Sequence, residues 1–396
     1  MKVSVYGIGK AGLPLAAVIA DKGLKVIGVG RNPDRTSQLN QGHNPIPEEP
    51  GLQELLHKHA GNNLLFTTDG INASKQSTVH IIIVPVFIDK NKKPDFSNIK
   101  DAAHKIALGL KKGDVVVLET TVPVGTTNKV IRPILEKYSK LKAGLDFYLA
   151  MSPERMMTGY AISRYQEFPK IVGGVNSKST KRVARFYELF CRRVIKVSNM
   201  ETAELIKISE GIYRDVNISL ANELYQVSQR HNLDYWEIKQ AANNVFCNLH
   251  NPGNVGGHCI PVYPWLLINH HTVPLIKKAR QLNDKMIYYY ADRVAEIAKS
   301  GMVLVVGIGF REGVKETAYT RSFPFIKLLK RRGYNVTVYD PLYSQIEIIN
   351  LGFRYSVDFK NASCIVVMNN YTELKNKLKS YKHKIVDIKN ILASQK

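Results

Sequence analysis

Two junctions between a strand and a glycine loop frame this chain and confine it to one class of fold. The first runs Lys2-Val3-Ser4-Val5-Tyr6 into Gly7-Ile8-Gly9-Lys10-Ala11-Gly12, and the second runs Met302-Val303-Leu304-Val305-Val306 into Gly307-Ile308-Gly309. A short apolar strand that turns through glycine into a helix starts a β–α unit, and repeated units build a parallel sheet covered by helices. Further strand-like runs fall at 25–29, 79–84, 115–119 and 147–150, and again at 335–339, 364–368 and 384–388. Between these groups, from 201 to about 231, Ala203, Ile206, Ile212, Val216 and Leu220 recur at helical spacing, and helices continue to about 299. The predicted fold is α/β, with two Rossmann-like parallel-sheet domains joined by a long central helix. Ligands of such a fold are expected in the cleft between the lobes, at the carboxyl ends of the strands.

At 396 residues and 44% hydrophobic content, the chain can bury the cores of two or three domains. It has no apolar run of about 18 residues, so no transmembrane helix is expected. The strand-like start at Lys2 predicts no secretion signal. Four scattered cysteines (Cys191, Cys247, Cys259, Cys364) do not make a disulfide framework, which points to a reduced, cytoplasmic protein. The net charge of +23 is spread along the chain, with only short clusters such as Lys327-Leu328-Leu329-Lys330-Arg331-Arg332. No nucleic-acid-binding module accompanies it, so neither nucleic acid nor membrane is expected as a partner.

Gly7-x-Gly9-x-x-Gly12 follows a strand and opens a helix, the context in which this pattern binds a dinucleotide. Its glycines permit a tight turn and close backbone approach, and the helix N-terminus offers free N–H groups to a pyrophosphate. Gly7, Ile8, Gly9 and Gly12 are therefore candidate cofactor contacts, with Arg31 and Arg35 at the end of the next strand. NAD sites place an acidic residue there, whereas this chain has Gly30-Arg31. NAD is the expected cofactor, and the missing carboxylate beside a guanidinium leaves NADP open. The second loop carries Glu312 where a third glycine would fall, which weakens it as another dinucleotide site.

Cys259 closes the run Pro252-Gly253-Asn254-Val255-Gly256-Gly257-His258-Cys259. A thiol behind three glycines sits where backbone can press against a ligand. Beside a dinucleotide site it suggests oxidation past the aldehyde, since a thiol traps an aldehyde as a thiohemiacetal and passes it on as a thioester. Cys247, His250, His258 and Cys259 match no common zinc spacing, so no metal is expected.

Several ordered motifs resemble the UDP-glucose/GDP-mannose dehydrogenase family, and within it the UDP-N-acetylmannosamine dehydrogenase branch. They are the opening glycine loop, Asn44-Pro45-Ile46-Pro47-Glu48-Glu49-Pro50-Gly51-Leu52, Glu119-Thr120-Thr121-Val122-Pro123-Val124-Gly125-Thr126 and Ser152-Pro153-Glu154-Arg155. Glu204-Leu205-Ile206-Lys207, Tyr213-Arg214-Asp215-Val216-Asn217 and Gly257-His258-Cys259-Ile260-Pro261 continue the series. The resemblance implies two-step oxidation of the C6 hydroxyl of a UDP-sugar to a carboxylate. It implies a dinucleotide-binding domain over 1–197, a helical dimerisation and catalytic domain over 198–299, and a UDP-sugar-binding domain over 300–396, in a homodimer or dimer-based oligomer. By matched position, Cys259 is the nucleophile, Lys207 stabilises the developing oxyanion or moves the alcohol proton, and Glu154 is the base for thioester hydrolysis. Thr121 holds a water or the nicotinamide region. Arg155, Arg214, Asn217, His250, Gly253, Gly257, Phe310 and Arg311 are the expected substrate contacts.

Three positions depart from the better-known UDP-glucose members. Gly211 stands for an asparagine four residues after Lys207, and Tyr263 for an aspartate four residues after Cys259. Ala318 stands where the resemblance puts an arginine, with Arg321 nearby. These departures keep other readings open: a UDP-glucose or UDP-N-acetylglucosamine 6-dehydrogenase, a one-step dehydrogenase, or a catalytically silent relative that binds nucleotide sugars.

Overall fold

In the computed structural model, residues 1–157 and 159–392 are described, so the last four residues of the expected third domain lie outside them. The chain divides into two compact units, Met1–Ser209 and Glu210–Lys396. The first contains β1 (Lys2–Tyr6), β2 (Lys25–Val29), β3 (Leu64–Thr67), β4 (Val79–Ile82), β5 (Phe87–Ile88), β6 (Pro94–Asp95), β7 (Val115–Leu118), β8 (Tyr148–Met151), β9 (Lys170–Gly174) and β10 (Val194–Val197). Eight of these form one sheet in the order β10-β9-β8-β7-β4-β1-β2-β3, while β5 and β6 pair apart from it. Within the eight-stranded sheet, among the described residues, only the β8–β9 pair is antiparallel.

Strands covered on both faces read as near-continuous apolar runs: every residue of β4 and β7 is buried, and His80 alone interrupts the apolar residues of the two. On one face lie Leu13, Leu15 and Ile19 of the helix Gly12–Asp21. On the other lie Ile99, Ile106 and Leu135, together with Met200 and Ala203 from the start of the long helix Met200–Arg230. The chain leaves β1 for β2 on one side and reaches β4 on the other, so strand order reverses at β1. The crevice at such a reversal is where open α/β sheets take ligands.

The second unit holds the rest of the long helix, the helices Tyr235–Ala242, Tyr263–Ile268 and Pro274–Ile297, and β11 (Met302–Val306), β12 (Asn335–Tyr339), β13 (Cys364–Val367) and β14 (Ile385–Asp387). Its sheet runs β12-β11-β13-β14, all parallel. Met286, Ile287, Tyr290 and Val294 of the helix Pro274–Ile297 pack on Val303 and Val305 of β11. The α/β class and the two parallel sheets anticipated from sequence are thus present. Strands expected at 79–84, 115–119 and 364–368 stop one or two residues sooner, where the chain turns into its ligand-edge loops. The segment from Ser152 to Met157 forms no helix.

Candidate functional site

The glycine loop of the first unit has the steric signature of a phosphate cradle. Gly7 has φ of 111°, a conformation that favours glycine. A β-carbon on Gly12 would lie 1.8 Å from the Gly7 carbonyl oxygen, so the helix can start this close to the loop only through glycine. At Gly9 an added β-carbon would meet nothing within 4 Å, which leaves the loop backbone open to a ligand. The helix Gly12–Asp21 begins with no side-chain cap and no acidic residue in its first turn, leaving its leading N–H groups for an anion. These features fit the pyrophosphate of a dinucleotide.

Thr121 follows β7 and Glu154 follows β8, so both stand at the same carboxyl edge of the sheet as the glycine loop. Below them the Glu154 amide donates to the Glu119 carbonyl at 2.9 Å. The Glu119 carboxylate, fully buried, pairs with Lys170 at 2.5 Å and accepts the Tyr187 hydroxyl. A buried charge must be paired and hydrogen-bonded to be tolerated, and this cluster stitches β7, β9 and the helix Ser177–Tyr187 beneath the Glu154 loop. Arg155 donates to the Pro169 carbonyl at 2.8 Å, and its guanidinium lies over the Phe168 ring.

Lys207 is buried on the long helix. One turn earlier, Glu204 accepts the amide of Gly125 at 2.5 Å, that of Thr127 at 2.8 Å and the Thr127 hydroxyl at 2.6 Å. Residues three apart share a helix face, so the contact of Glu204 with the Thr121–Thr127 loop turns the Lys207 face the same way. Burial pushes the Glu204 carboxyl up to about 7 against these donors.

In the second unit, Cys259 is exposed at the end of its loop, and its carbonyl accepts the amides of Val262 and Tyr263, which starts the helix Tyr263–Ile268. The preceding backbone lies flat on Phe310: a β-carbon on Gly257 would sit 2.7 Å from that ring. His258 contacts the Glu316 carboxylate and meets the Tyr319 ring edge-on. Tyr319 itself has φ of 48°, a left-handed conformation that costs a bulky residue energy and gathers at functional sites. Arg311 follows Phe310 on the loop after β11. Asn254, Phe310, Thr320, Asn369 and Lys389 line a narrow crevice, and burial lowers the Lys389 ammonium below its usual pKa.

Gly253 is held by reciprocal bonds to Asn222, its amide donating at 2.7 Å and its carbonyl accepting at 3.2 Å. Asn222 donates to Asn283, which donates to Asp215, and Asp215 pairs with the fully buried Arg280. Arg280 then reaches Asp284, whose carbonyl accepts Arg321 at 2.6 Å. The cysteine loop is therefore moored to the long helix, to the helix Pro274–Ile297 and through it to Arg321. His250 sits beside Arg214: burial first, then the Arg214 and Lys239 charges, holds its imidazole below the usual pKa. Asn217 turns its amide back to the Tyr213 carbonyl of its own helix at 2.7 Å.

The two departures at Gly211 and Tyr263 meet. A β-carbon at Gly211 would lie 2.2 Å from Tyr263 Cδ2, so the ring occupies the space a side chain at 211 would need. Gly211, unfavourable in a helix by about 1 kcal/mol, is explained by the tyrosine. Sequence reasoning missed Glu204, the Glu119–Lys170 pair and Asn222; Glu204, one turn before Lys207, was the one with a readable signal. It also missed Asp340, which accepts the amides of Ile308 and Gly309 and the hydroxyl of Tyr371. That carboxylate fills the second glycine loop from within, so those N–H groups are not offered to a phosphate.

Comparison with known proteins places these features in context. Residues 1–191 match the NAD binding domain of the UDP-glucose/GDP-mannose dehydrogenase family, residues 201–285 its central domain and residues 304–394 its UDP binding domain. A UDP-N-acetyl-D-mannosamine dehydrogenase of Methanococcus aeolicus is 33% identical, with 99% of this chain and 91% of that protein covered. Among solved structures, the UDP-D-ManNAc dehydrogenase of Pyrococcus horikoshii superposes with a TM-score of 0.91 at 28% identity, covering 100% of this chain and 96% of the other. A UDP-N-acetyl-mannosamine dehydrogenase from Staphylococcus aureus gives 0.85 at 29% identity, covering 100% and 96%.

Proposed function

The chain belongs to the UDP-glucose/GDP-mannose dehydrogenase family and is an NAD-dependent nucleotide-sugar dehydrogenase; from that premise we propose that it oxidises UDP-N-acetylmannosamine to the corresponding uronate. The observation that carries the reading is near-full-length similarity to UDP-N-acetyl-D-mannosamine dehydrogenases. NAD, when bound, would supply the hydride acceptor, one molecule for each of the two oxidations. Gly7, Ile8, Gly9 and Gly12 hold its pyrophosphate, and Thr121 borders its nicotinamide end.

Lys207, an ammonium, stabilises the alkoxide that forms as the C6 hydroxyl loses its proton. Loss of the first hydride from C6 turns this alkoxide into an aldehyde. The Cys259 thiol adds to its carbonyl carbon, the thiol proton ending on the oxygen, to give a thiohemiacetal, and loss of a second hydride and a proton leaves a thioester. Glu154 takes a proton from the water that attacks this thioester, and the C–S bond breaks to release carboxylate and thiol. Arg155, Arg214, Asn217, His250, Gly253, Gly257, Phe310 and Arg311 bind the nucleotide sugar, with Arg311 suited to the diphosphate.

The reading includes three domains over 1–197, 198–299 and 300–396, and a homodimer formed through the long helix. Tyr213, Leu220, Leu224 and Val227, all exposed on it, support that interface. It also places the protein in the cytoplasm, a setting that suits its four free cysteines. The test follows cofactor reduction and uronate formation with NAD and a panel of UDP-sugars. Two reduced cofactors per UDP-N-acetylmannosamine are expected. Preference for another sugar overturns the substrate, and a single reduced cofactor per substrate overturns the two-step course. Cys259→Ser is expected to stop uronate formation; unchanged production would remove the covalent step.

A further inference from the structure

The end of β2 is the part of the cofactor site least like an NAD site. Tyr6 and Val29 are paired across β1 and β2, and the Gly7 amide donates to the Val29 carbonyl at 3.0 Å. Gly30 and Arg31 thus stand directly beside the glycine loop, where an NAD-binding chain presents a carboxylate to the ribose hydroxyls. Here none is present, and none can be fitted without rearrangement. A β-carbon on Gly30 would lie 2.6 Å from Ile8 Cδ1 and 3.2 Å from Thr36 Cγ2.

Two guanidinium groups occupy the neighbourhood instead. Arg31 is exposed, and one of its nitrogens donates to Asn98 at 3.2 Å. Asn98 is itself fixed, donating to the Pro85 carbonyl at 3.0 Å. Arg35, in the first turn of the helix Pro33–Asn40, donates from NH2 to the Ile8 carbonyl at 3.3 Å, while its buried Nε has no hydrogen-bond partner. Arg35 is therefore moored to the middle of the Gly7-x-Gly9 turn. Of the acids nearby, Glu48 is paired with Lys10 at 3.1 Å, and Asp34 is exposed on the same helix as Arg35. Two guanidinium groups thus stand at this end of the site.

We propose that this end of the site takes the 2′-phosphate of NADP, held by Arg31 and Arg35, in addition to the NAD that the family's domain binds. A phosphate monoester carries about −1.5 to −2 charge at pH 7, and guanidinium meets it through paired, charge-assisted hydrogen bonds. The carboxylate that would repel this group is the one the chain lacks. The inference rests on the reading that Gly7–Gly12 holds a dinucleotide, and the test separates the two.

Isothermal titration of the full-length protein with 5′-AMP, 2′,5′-ADP and 3′,5′-ADP reads the pocket without any turnover. About tenfold or tighter binding of 2′,5′-ADP than of either other nucleotide is expected. Arg31→Ala and Arg35→Ala should each bring the ratio toward one. If 5′-AMP and NAD bind but 2′,5′-ADP has no advantage, the 2′-phosphate site is overturned while the dehydrogenase reading stands. An advantage that survives both substitutions overturns the assignment of these arginines. Failure of every nucleotide, NAD included, overturns the dinucleotide reading and this inference with it.

Discussion

Glu204 shows how much one buried side chain can settle. Its carboxylate gathers two backbone amides and a hydroxyl of the Thr121–Thr127 loop, yet burial still pushes its pKa up to about 7 from 4.5. Below about 4.5 the group is protonated whether the chain is folded or not. Between about 4.5 and 7 the unfolded chain has released the proton and the folded chain has kept it, so this contribution to stability falls as pH rises through that window. Glu204→Gln removes the titration while keeping one acceptor oxygen. The difference between wild type and variant in thermal midpoint, measured from pH 5 to 8, is expected to move against the wild type as pH rises and to level off above 7. A difference independent of pH would show that Glu204 titrates normally. The proposed Cys259 and Arg31 roles belong to the same scale, each turning on a single functional group.

At the scale of elements, the Tyr263 ring and the bare Gly211 segment of the long helix form a knob and a notch. Because the Tyr263 amide also caps the Cys259 carbonyl, the fit sets where the cysteine turn meets the helix. Alanine is normally better than glycine in a helix by about 1 kcal/mol, but Gly211→Ala here drives a methyl into the ring. It is expected to cost about 1–3 kcal/mol, the range for overpacking, and to alter the alkylation rate of Cys259. In a Tyr263→Ala background the same change should turn stabilising, a reversal of sign readable in a double-mutant cycle. If Gly211→Ala stabilises the protein in both backgrounds, the two departures are unrelated. The same scale shows why some strands escaped sequence reading. β9 begins with a lysine whose ammonium is matched to Glu119 inside the core, and β10 is a short edge strand of mixed exposure. Neither offers the unbroken apolar run that marks β7.

For the whole molecule, the exposed stripe of the long helix carries the clearest consequence. Tyr213, Leu220, Leu224 and Val227 recur at the seven-, four- and three-residue steps of a helix–helix seam. Light scattering is expected to give twice the 44.6 kDa of one chain, and Leu220→Glu with Leu224→Glu to halve that mass. A wild type that runs as a monomer removes the dimer. The basic excess of +23 gives no comparable surface argument, since its clusters are short and scattered among the described residues.

Local sequence alone determined the α/β class, the two glycine loops, the long helix and the loop position of the Cys259 thiol, because period, glycine placement and burial of apolar runs act over a few neighbouring residues. Family motifs carried the candidate site further, to Thr121, Glu154 and Lys207. Only the tertiary structure decided that Gly211 exists because of Tyr263, that Asp340 fills the second glycine loop, and that Asn222, Asn283 and Asp215 anchor the cysteine loop. Those partners are 31 to 68 residues apart in the chain. Steric exclusion and buried hydrogen bonding depend on atoms a few ångströms apart in space, and no local pattern records which distant side chain will arrive there.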